Sequence, residues 1–249
     1  MLVAGFPSAV FATNVYVVAP GAGEECIVVD PGMEVVPGLD DLLREHRLKA
    51  VAVLLTHGHL DHTFSVVPVA GSRGIPAYIH PADRELLVDP MKGMGRESAQ
   101  MFGGRLQWQE PDDVALLDDG AVMALAGLEV AVDHAPGHTP GSVMFRLPGA
   151  PDAVTGLDAA PTQTVLSGDV LFAGSIGRTD LPGGSHEQML ASLRAKVLPL
   201  GDDVLVLPGH GGATTVGRER AANPYLATLQ TPQPSASVMS APPAPRRGL

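Results

Sequence analysis

Residues 57 to 62, H-G-H-L-D-H, place three histidines and an aspartate within six positions. Imidazole nitrogen and carboxylate oxygen are the ligand types that suit zinc, iron and similar borderline ions. Packed this densely, they fit neither an apolar core nor an ordinary surface. His57 and His59 alternate along an extended chain, so their rings can lie on one side, while Asp61 and His62 follow as the chain turns. The spacing suggests two ligand pairs. Further along, the turns P-G-H, S-G-D and G-H-G present His138, Asp169 and His210. Any one of these histidines read alone is better explained by packing; all seven groups in Gly-bearing turns are better explained by metal. Five imidazoles and two carboxylates suffice for two divalent cations with positions left open. Such a pair lowers the pKa of a shared water and polarises a carbonyl.

Elements of regular structure must carry these turns. The run V-A-V-L-L at 51 to 55 reads as a buried strand that delivers His57 at its end. Before it, 13 to 19 and 25 to 30 read as a hairpin across P-G-A-G, and 37 to 48 as a helix with Leu39, Leu42 and Leu43 at helical spacing. Residues 63 to 71 predict a helix and 77 to 80 a short strand. Residues 90 to 111, with Met91, Met94, Met101 and Trp108, predict a loop or cap over the site. Two strands flank His138, a strand over 164 to 172 carries Asp169, Ser185 caps a helix, and 204 to 212 is a strand ending at His210. Residues 148 to 163 have the composition of a surface insertion.

The chain has 249 residues, 45% apolar and 17% charged, which is globular. We read residues 1–230 as one domain and the Pro/Ala-rich 231–249 as a disordered tail. A net charge of -11 disfavours a surface that tracks nucleic-acid phosphates, so the expected partner is a small molecule. No apolar run approaches the roughly 18 residues of a membrane span. The lone Cys26 cannot form an internal disulfide, and no basic segment precedes the first apolar residues, so a cytoplasmic location is expected.

The signature H-x-H-x-D-H, here H-G-H-L-D-H, followed in order by G-H-T-P-G-S, S-G-D and G-H-G, resembles the metallo-β-lactamase superfamily over residues 10 to 228. The resemblance implies an α+β fold, a four-layer αββα sandwich of two mixed sheets with helices outside. It implies that His57, His59 and His138 hold one metal, that Asp61, His62 and His210 hold the other, and that Asp169 bridges them. It also implies two divalent ions, zinc in the first place with iron or manganese accepted by the same set, and a bridging hydroxide that Asp61 helps orient.

Within that superfamily, F-A-G-S-I-G-R-T-D-L-P-G-G-S at 172 to 185 resembles the short glyoxalase II-like hydrolases, which act on hydroxyacyl thioesters. A thiolate leaves without a strong general acid, which suits a site of metal ligands alone. Classical glyoxalase II has a further C-terminal helical domain that helps hold glutathione, and this sequence does not show one. The alternative is a persulfide dioxygenase with one iron on His57, His138 and Asp169; against it stands L-P-G-G after G-R-T-D. A non-hydrolytic redox scaffold of the di-iron flavoprotein kind ranks lower, because that branch typically replaces the second histidine of the signature by glutamate and this chain has His59. Arg178 either meets a substrate carboxylate or is clamped by Asp180, and the clamp is favoured. His134 is expected to donate to a backbone carbonyl and orient the turn of His138.

Overall fold

The computed structural model describes residues 1–95, 100, 108–152 and 160–230. The expected tail, most of the cap after residue 95 and the middle of the 148–163 insertion lie outside the described residues.

The amino-terminal half builds one sheet. Strands β1 (Leu2–Pro7), β2 (Asn14–Ala19) and β3 (Glu25–Val29) form an antiparallel meander. Helix α1 (Val36–Glu45) crosses over to β4 (Lys49–Leu54), which lies parallel to β3, and β5 (Ala77–Ile79) and β6 (Val114–Leu116) continue in parallel. Two short helices, α2 (Leu60–Thr63) and α3 (Arg84–Val88), follow β4 and β5. The second sheet takes β7 (Val122–Leu125), β8 (Leu128–His134), β9 (Val143–Pro148) and β10 (Gln163–Gly168). A small hairpin, β11 (Leu171–Phe172) and β12 (Ser175–Ile176), and helix α4 (His186–Ser192) intervene before β13 (Val204–Pro208) and β14 (Thr214–Thr215). The chain then forms α5 (Val216–Ala222) and α6 (Pro224–Gln230). The sheet orders are β1-β2-β3-β4-β5-β6 and β14-β13-β10-β9-β8-β7.

The period of two along each strand sorts side chains into three apolar layers. Val17, Val28 and Val53 face outward onto Leu39 and Leu43 of α1, with Val66, Val69 and Leu87 beside them. Their neighbours Val18, Ile27, Ala52 and Leu54 face inward onto Val132, Phe145, Leu166 and Leu205 of the second sheet. That sheet's far side, with Met144, Val165 and Val206, packs on Met189 and Leu193 and on Leu226 and Leu229 of α6. Because β3, β4 and β13 are covered on both sides, they read as near-continuous apolar runs once past the first residue of β3 and β4, and β10 keeps its Thr164 and Ser167 buried by bonding them to backbone carbonyls. The result is the expected αββα sandwich. Each fully buried Leu or Phe contributes about 1.5–3 kcal/mol by area.

Three local details differ from the sequence reading. Strand β1 was hidden by Gly5 and Pro7, which argue against a strand; it is tolerated because it sits at the sheet edge. Helix α1 runs from Val36 to Glu45, ending before the expected 48, and its Asp40 and Asp41 pair with Arg73 and Arg44. The segment after His62 divides into α2 and a separate wide turn at Val67–Gly71.

Candidate metal centre

All seven predicted ligands lie along one seam between the sheets. The first sheet delivers His57, His59, Asp61 and His62 from the loop after β4; the second delivers His138 after β8, Asp169 after β10 and His210 after β13. Gly209 is required next to His210, since a Cβ there would lie 2.7 Å from His62 Cε1. Gly168, before Asp169, has φ +47 and packs directly on Thr56, a position only glycine occupies without strain.

Hydrogen bonds fix how the rings point. His62 Nδ1 lies 2.9 Å from Asp30 Oδ2, and His138 Nδ1 lies 2.7 Å from the Arg178 carbonyl oxygen. Both acceptors take the N–H at Nδ1, which leaves Nε2 turned inward toward the other donors. His57 Nδ1 sits 3.1 Å from Thr56 Oγ1, which itself donates to Asp30 at 2.6 Å, so His57 also turns Nε2 inward. His59 presents Nδ1 instead, 2.8 Å from His138 Nε2, and that same Nε2 is 3.2 Å from His57 Nε2. On the other side His210 Nε2 stands 3.1 Å from Asp61 Oδ2, and His62 Nε2 stands 3.4 Å from both Asp61 Oδ2 and Asp169 Oδ1. Asp169 faces both ways: Oδ1 toward His62, Oδ2 toward His138 at 3.5 Å and His210 at 3.7 Å.

These distances test whether a cation fits. A tetrahedral shell with bonds of about 2.05 Å has edges of about 3.3 Å, and the donor separations scatter around that value. One lone pair on His138 cannot satisfy two facing nitrogens, so hydrogen bonding alone leaves the cluster frustrated. His62 Nε2 and Asp169 Oδ1 are buried with no hydrogen-bond partner, and so is His59 Nε2 on its outer side. Orphaned buried polar atoms of this kind are rare and costly unless something charged meets them. Three overlapping donor groups satisfy the geometry of a metal site among the described residues: His57, His59 and His138; His57, His62 and Asp169; Asp61, His62 and His210.

The electrostatics divide the cluster. Burial, then the neighbouring imidazoles, holds His57 well below the ordinary histidine range and takes His59 down to about 3, so both are neutral ligands. Burial also opposes charge on His62, but Asp61, Asp169 and Asp30 outweigh it and raise His62 well above that range. His210 is raised in the same way, with burial overcome by Asp61 and Asp169. Burial pushes Asp61 and Asp169 up, yet His62 beside them wins and both stay low. Three carboxylates therefore draw positive charge to one spot.

A cavity of about 280 Å³ opens on this cluster, with Phe11, Leu60, Met94 and Leu181 as its apolar wall and Arg178 at its side. A larger cavity of about 340 Å³ near β1 and β13 holds no comparable donor set; its Asn14 and Tyr16 are bonded to the Pro208 carbonyl. Arg178 binds Asp180 through two bonds of 2.7 and 2.8 Å, the clamp arrangement, and holds the exposed Asp180 carboxyl down to about 2. His134 Nε2 lies 2.9 Å from the Pro140 carbonyl, two residues past His138. Trp108 donates to the Leu87 carbonyl, away from the cavity wall.

Sequence reasoning missed two buried carboxylates. Asp30, at φ +50, accepts from Thr56 and orients His62. The D-P-G at 30 to 32, which ends a buried strand, was the available signal. Asp83 is fully buried between two ligand loops, and nothing local to it in sequence marks that role.

Residues 9–156 match the model of the metallo-beta-lactamase superfamily, a stretch that ends before Asp169 and His210. The hydroxyacylglutathione hydrolase GloC of Haemophilus influenzae is 34% identical over 205 residues, covering 80% of this chain and 86% of that protein. Among solved structures, the BLEG-1 B3 metallo-beta-lactamase is 34% identical with a TM-score of 0.75 over 90% of this chain and 99% of that one. TTHA1623, solved in a di-iron-bound form, is 35% identical with a TM-score of 0.69 over 90% of this chain and 100% of that one.

Proposed function

The chain belongs to the metallo-β-lactamase superfamily, and on that premise we propose that it is a dinuclear metal-dependent hydrolase of hydroxyacyl thioesters. The observation that carries this reading is Asp169, whose carboxylate meets donors of both sets, His138 of the first and His62 and His210 of the second, at the wall of one cavity. The name of the H. influenzae relative supports the thioester, and the di-iron form of TTHA1623 supports two ions.

His57, His59 and His138 would hold one ion and Asp61, His62 and His210 the other, with Asp169 shared. Bound divalent ions supply Lewis acidity at the carbonyl and bring water within reach of deprotonation near neutral pH. The protein's part is placement. Asp61 is fixed by Thr13 Oγ1 at 3.1 Å and borders the cavity, so its carboxylate can accept a hydrogen bond from the attacking water. Phe11, Leu60, Met94 and Leu181 exclude bulk water and receive the substrate's apolar parts. Arg178, held by Asp180, shapes that side of the cavity. In the reaction, the water gives one proton to solvent, its oxygen bonds to the thioester carbon, the carbon–sulfur bond breaks and sulfur leaves with the electron pair, and the carboxylic acid that forms releases its own proton to solvent or to the departing thiolate. A thiolate of ordinary pKa about 8.5 departs without an acid to protonate it.

The test is metal analysis of protein purified without added metal, together with turnover of S-lactoyl thiol conjugates. Two equivalents of metal and thioester turnover are expected. Less than one equivalent and no thioesterase activity overturns the reading. Oxygen uptake with glutathione persulfide, with one iron bound, would assign the chain to the dioxygenase chemistry instead. Opening of a β-lactam faster than thioester hydrolysis would assign it to the chemistry named for BLEG-1.

A further inference from the structure

We propose that Asp83 is a positioning residue that assembles the three-histidine half of the site by tying together two loops from different sheets; the inference rests on the hydrolase reading above. Asp83 is 0% exposed and opens α3, outside both loops. Its Oδ2 accepts from the Gly58 amide at 2.8 Å and from Thr139 Oγ1 at 2.6 Å, and its Oδ1 accepts from the Gly141 amide at 2.7 Å. Gly58 lies between His57 and His59, and Thr139 follows His138. One carboxylate thus touches the immediate neighbours of all three ligands, across 25 residues on one side and 56 and 58 on the other.

The packing leaves little freedom around it. A Cβ on Gly141 would come within 2.6 Å of Asp83 Cγ, and one on Gly58 within 2.6 Å of Leu86 Cβ. Both glycines are needed because α3 presses directly on the ligand loops. Thr139 Oγ1 also meets Ser142 Oγ at 2.7 Å, and Ser142 Oγ accepts from the Thr139 amide at 3.0 Å, so the bond to Asp83 ends a chain that closes the His138 turn. The far side of that turn is braced by His134, which reaches the Pro140 carbonyl and stacks on His80 at 3.9 Å. None of the three bonds that Asp83 accepts touches a ligand atom. Its effect is to hold His57, His59 and His138 in register before any ion arrives.

Asp83→Asn preserves shape but turns an amide against one of the three donors. Partners that orient ligands typically cost about 10–100-fold in metal affinity when lost. Metal binding to the full chain is read by competition with a chromogenic chelator. Expected is a 10–100-fold weaker first equivalent in D83N, with kcat restored by excess metal, and faster amide exchange at Gly58 and Gly141. Glu219→Gln is the control. Glu219 is an equally buried carboxylate bonded to Gly174, Thr214 and Asn223, and its loss should lower thermal stability while leaving the affinity of that first equivalent unchanged. If D83N does not fold, Thr139→Ala decides, with a several-fold loss expected and Thr139→Ser restoring it. Folded D83N, or T139A, binding metal as tightly as the unaltered chain overturns the inference alone. Unaltered protein that binds no divalent ion overturns the hydrolase reading and this one with it.

Discussion

The two halves of the donor set differ in kind. His57, His59 and His138 are all nitrogen, at most 6% exposed, and come from loops that Asp83 ties together. Asp61, His62 and His210 include a carboxylate, and Asp61 and His210 are 24% and 28% exposed along their side chains. They are held from the other direction, by Asp30 on His62 and Thr13 on Asp61. All three imidazoles of the first set are nearly covered, whereas two of the three groups in the second set reach solvent. On the reading proposed above, the covered half would retain its ion and the exposed half would exchange it, with Asp169 common to both.

The strongest way to break this picture is to remove the shared group. Asp169→Ala should lower thioester turnover more than about 100-fold, beyond the range for residues that only orient ligands, and should cost metal from both halves; inductively coupled plasma measurement of metal per chain checks it. Next comes the asymmetry itself. His210→Ala should lose one equivalent and keep the other, whereas His59→Ala should weaken the tightly held one, and dialysis against graded chelator should strip the unaltered protein in two steps. A single step with both variants equal would erase the distinction. Asp30→Asn should loosen metal about 10-fold through His62 and lower stability by about 1–3 kcal/mol by leaving Thr56 imperfectly paired, read by chemical denaturation of the metal-free protein.

The smallest effect concerns Asp180. Its carboxyl is depressed from 3.8 to about 2, so any stabilisation from the Arg178 pair is present above the unfolded value and is lost only as pH falls through about 2. The pair is solvent-exposed and contributes little. Asp180→Asn should therefore leave the pH profile of turnover between about pH 5 and 8 unchanged and shift KM by no more than a few-fold. A larger KM change would give Arg178 a direct role with substrate.

What could be read in the sequence was whatever is local to it. H-G-H-L-D-H follows an apolar strand, and the turns at 138, 169 and 210 each repeat the same strand-then-glycine grammar, so ligand types and element order were visible together. The sandwich was implied only by the family resemblance that those motifs carry, whereas the helix expected over 37–48 came from leucine spacing and is found at Val36–Glu45. Asp30 and Asp83 were invisible as partners because their contacts span 25 residues or more: those of Asp30 depend on the pairing of β3 with β4, and those of Asp83 to Thr139 and Gly141 on how the two sheets stack. The edge strand at Leu2–Pro7 was hidden for a different reason: its proline and glycine weaken propensity, and only tertiary pairing with β2 compensates.

The seam between the sheets has one more consequence. Four of the seven donors belong to one sheet and three to the other, so an ion held there would add a cross-link between two halves that otherwise meet through apolar contact and a few hydrogen bonds, among them those of Asn14, Tyr16 and Asp83. Occupancy at 100 times the dissociation constant adds about 2.7 kcal/mol to folding, and the same addition is withdrawn whenever the sheets slide. A distant core substitution such as Phe145→Ala would then be felt as lost metal before it is felt as lost fold, and a thermal melt of this chain becomes an assay of its metal supply.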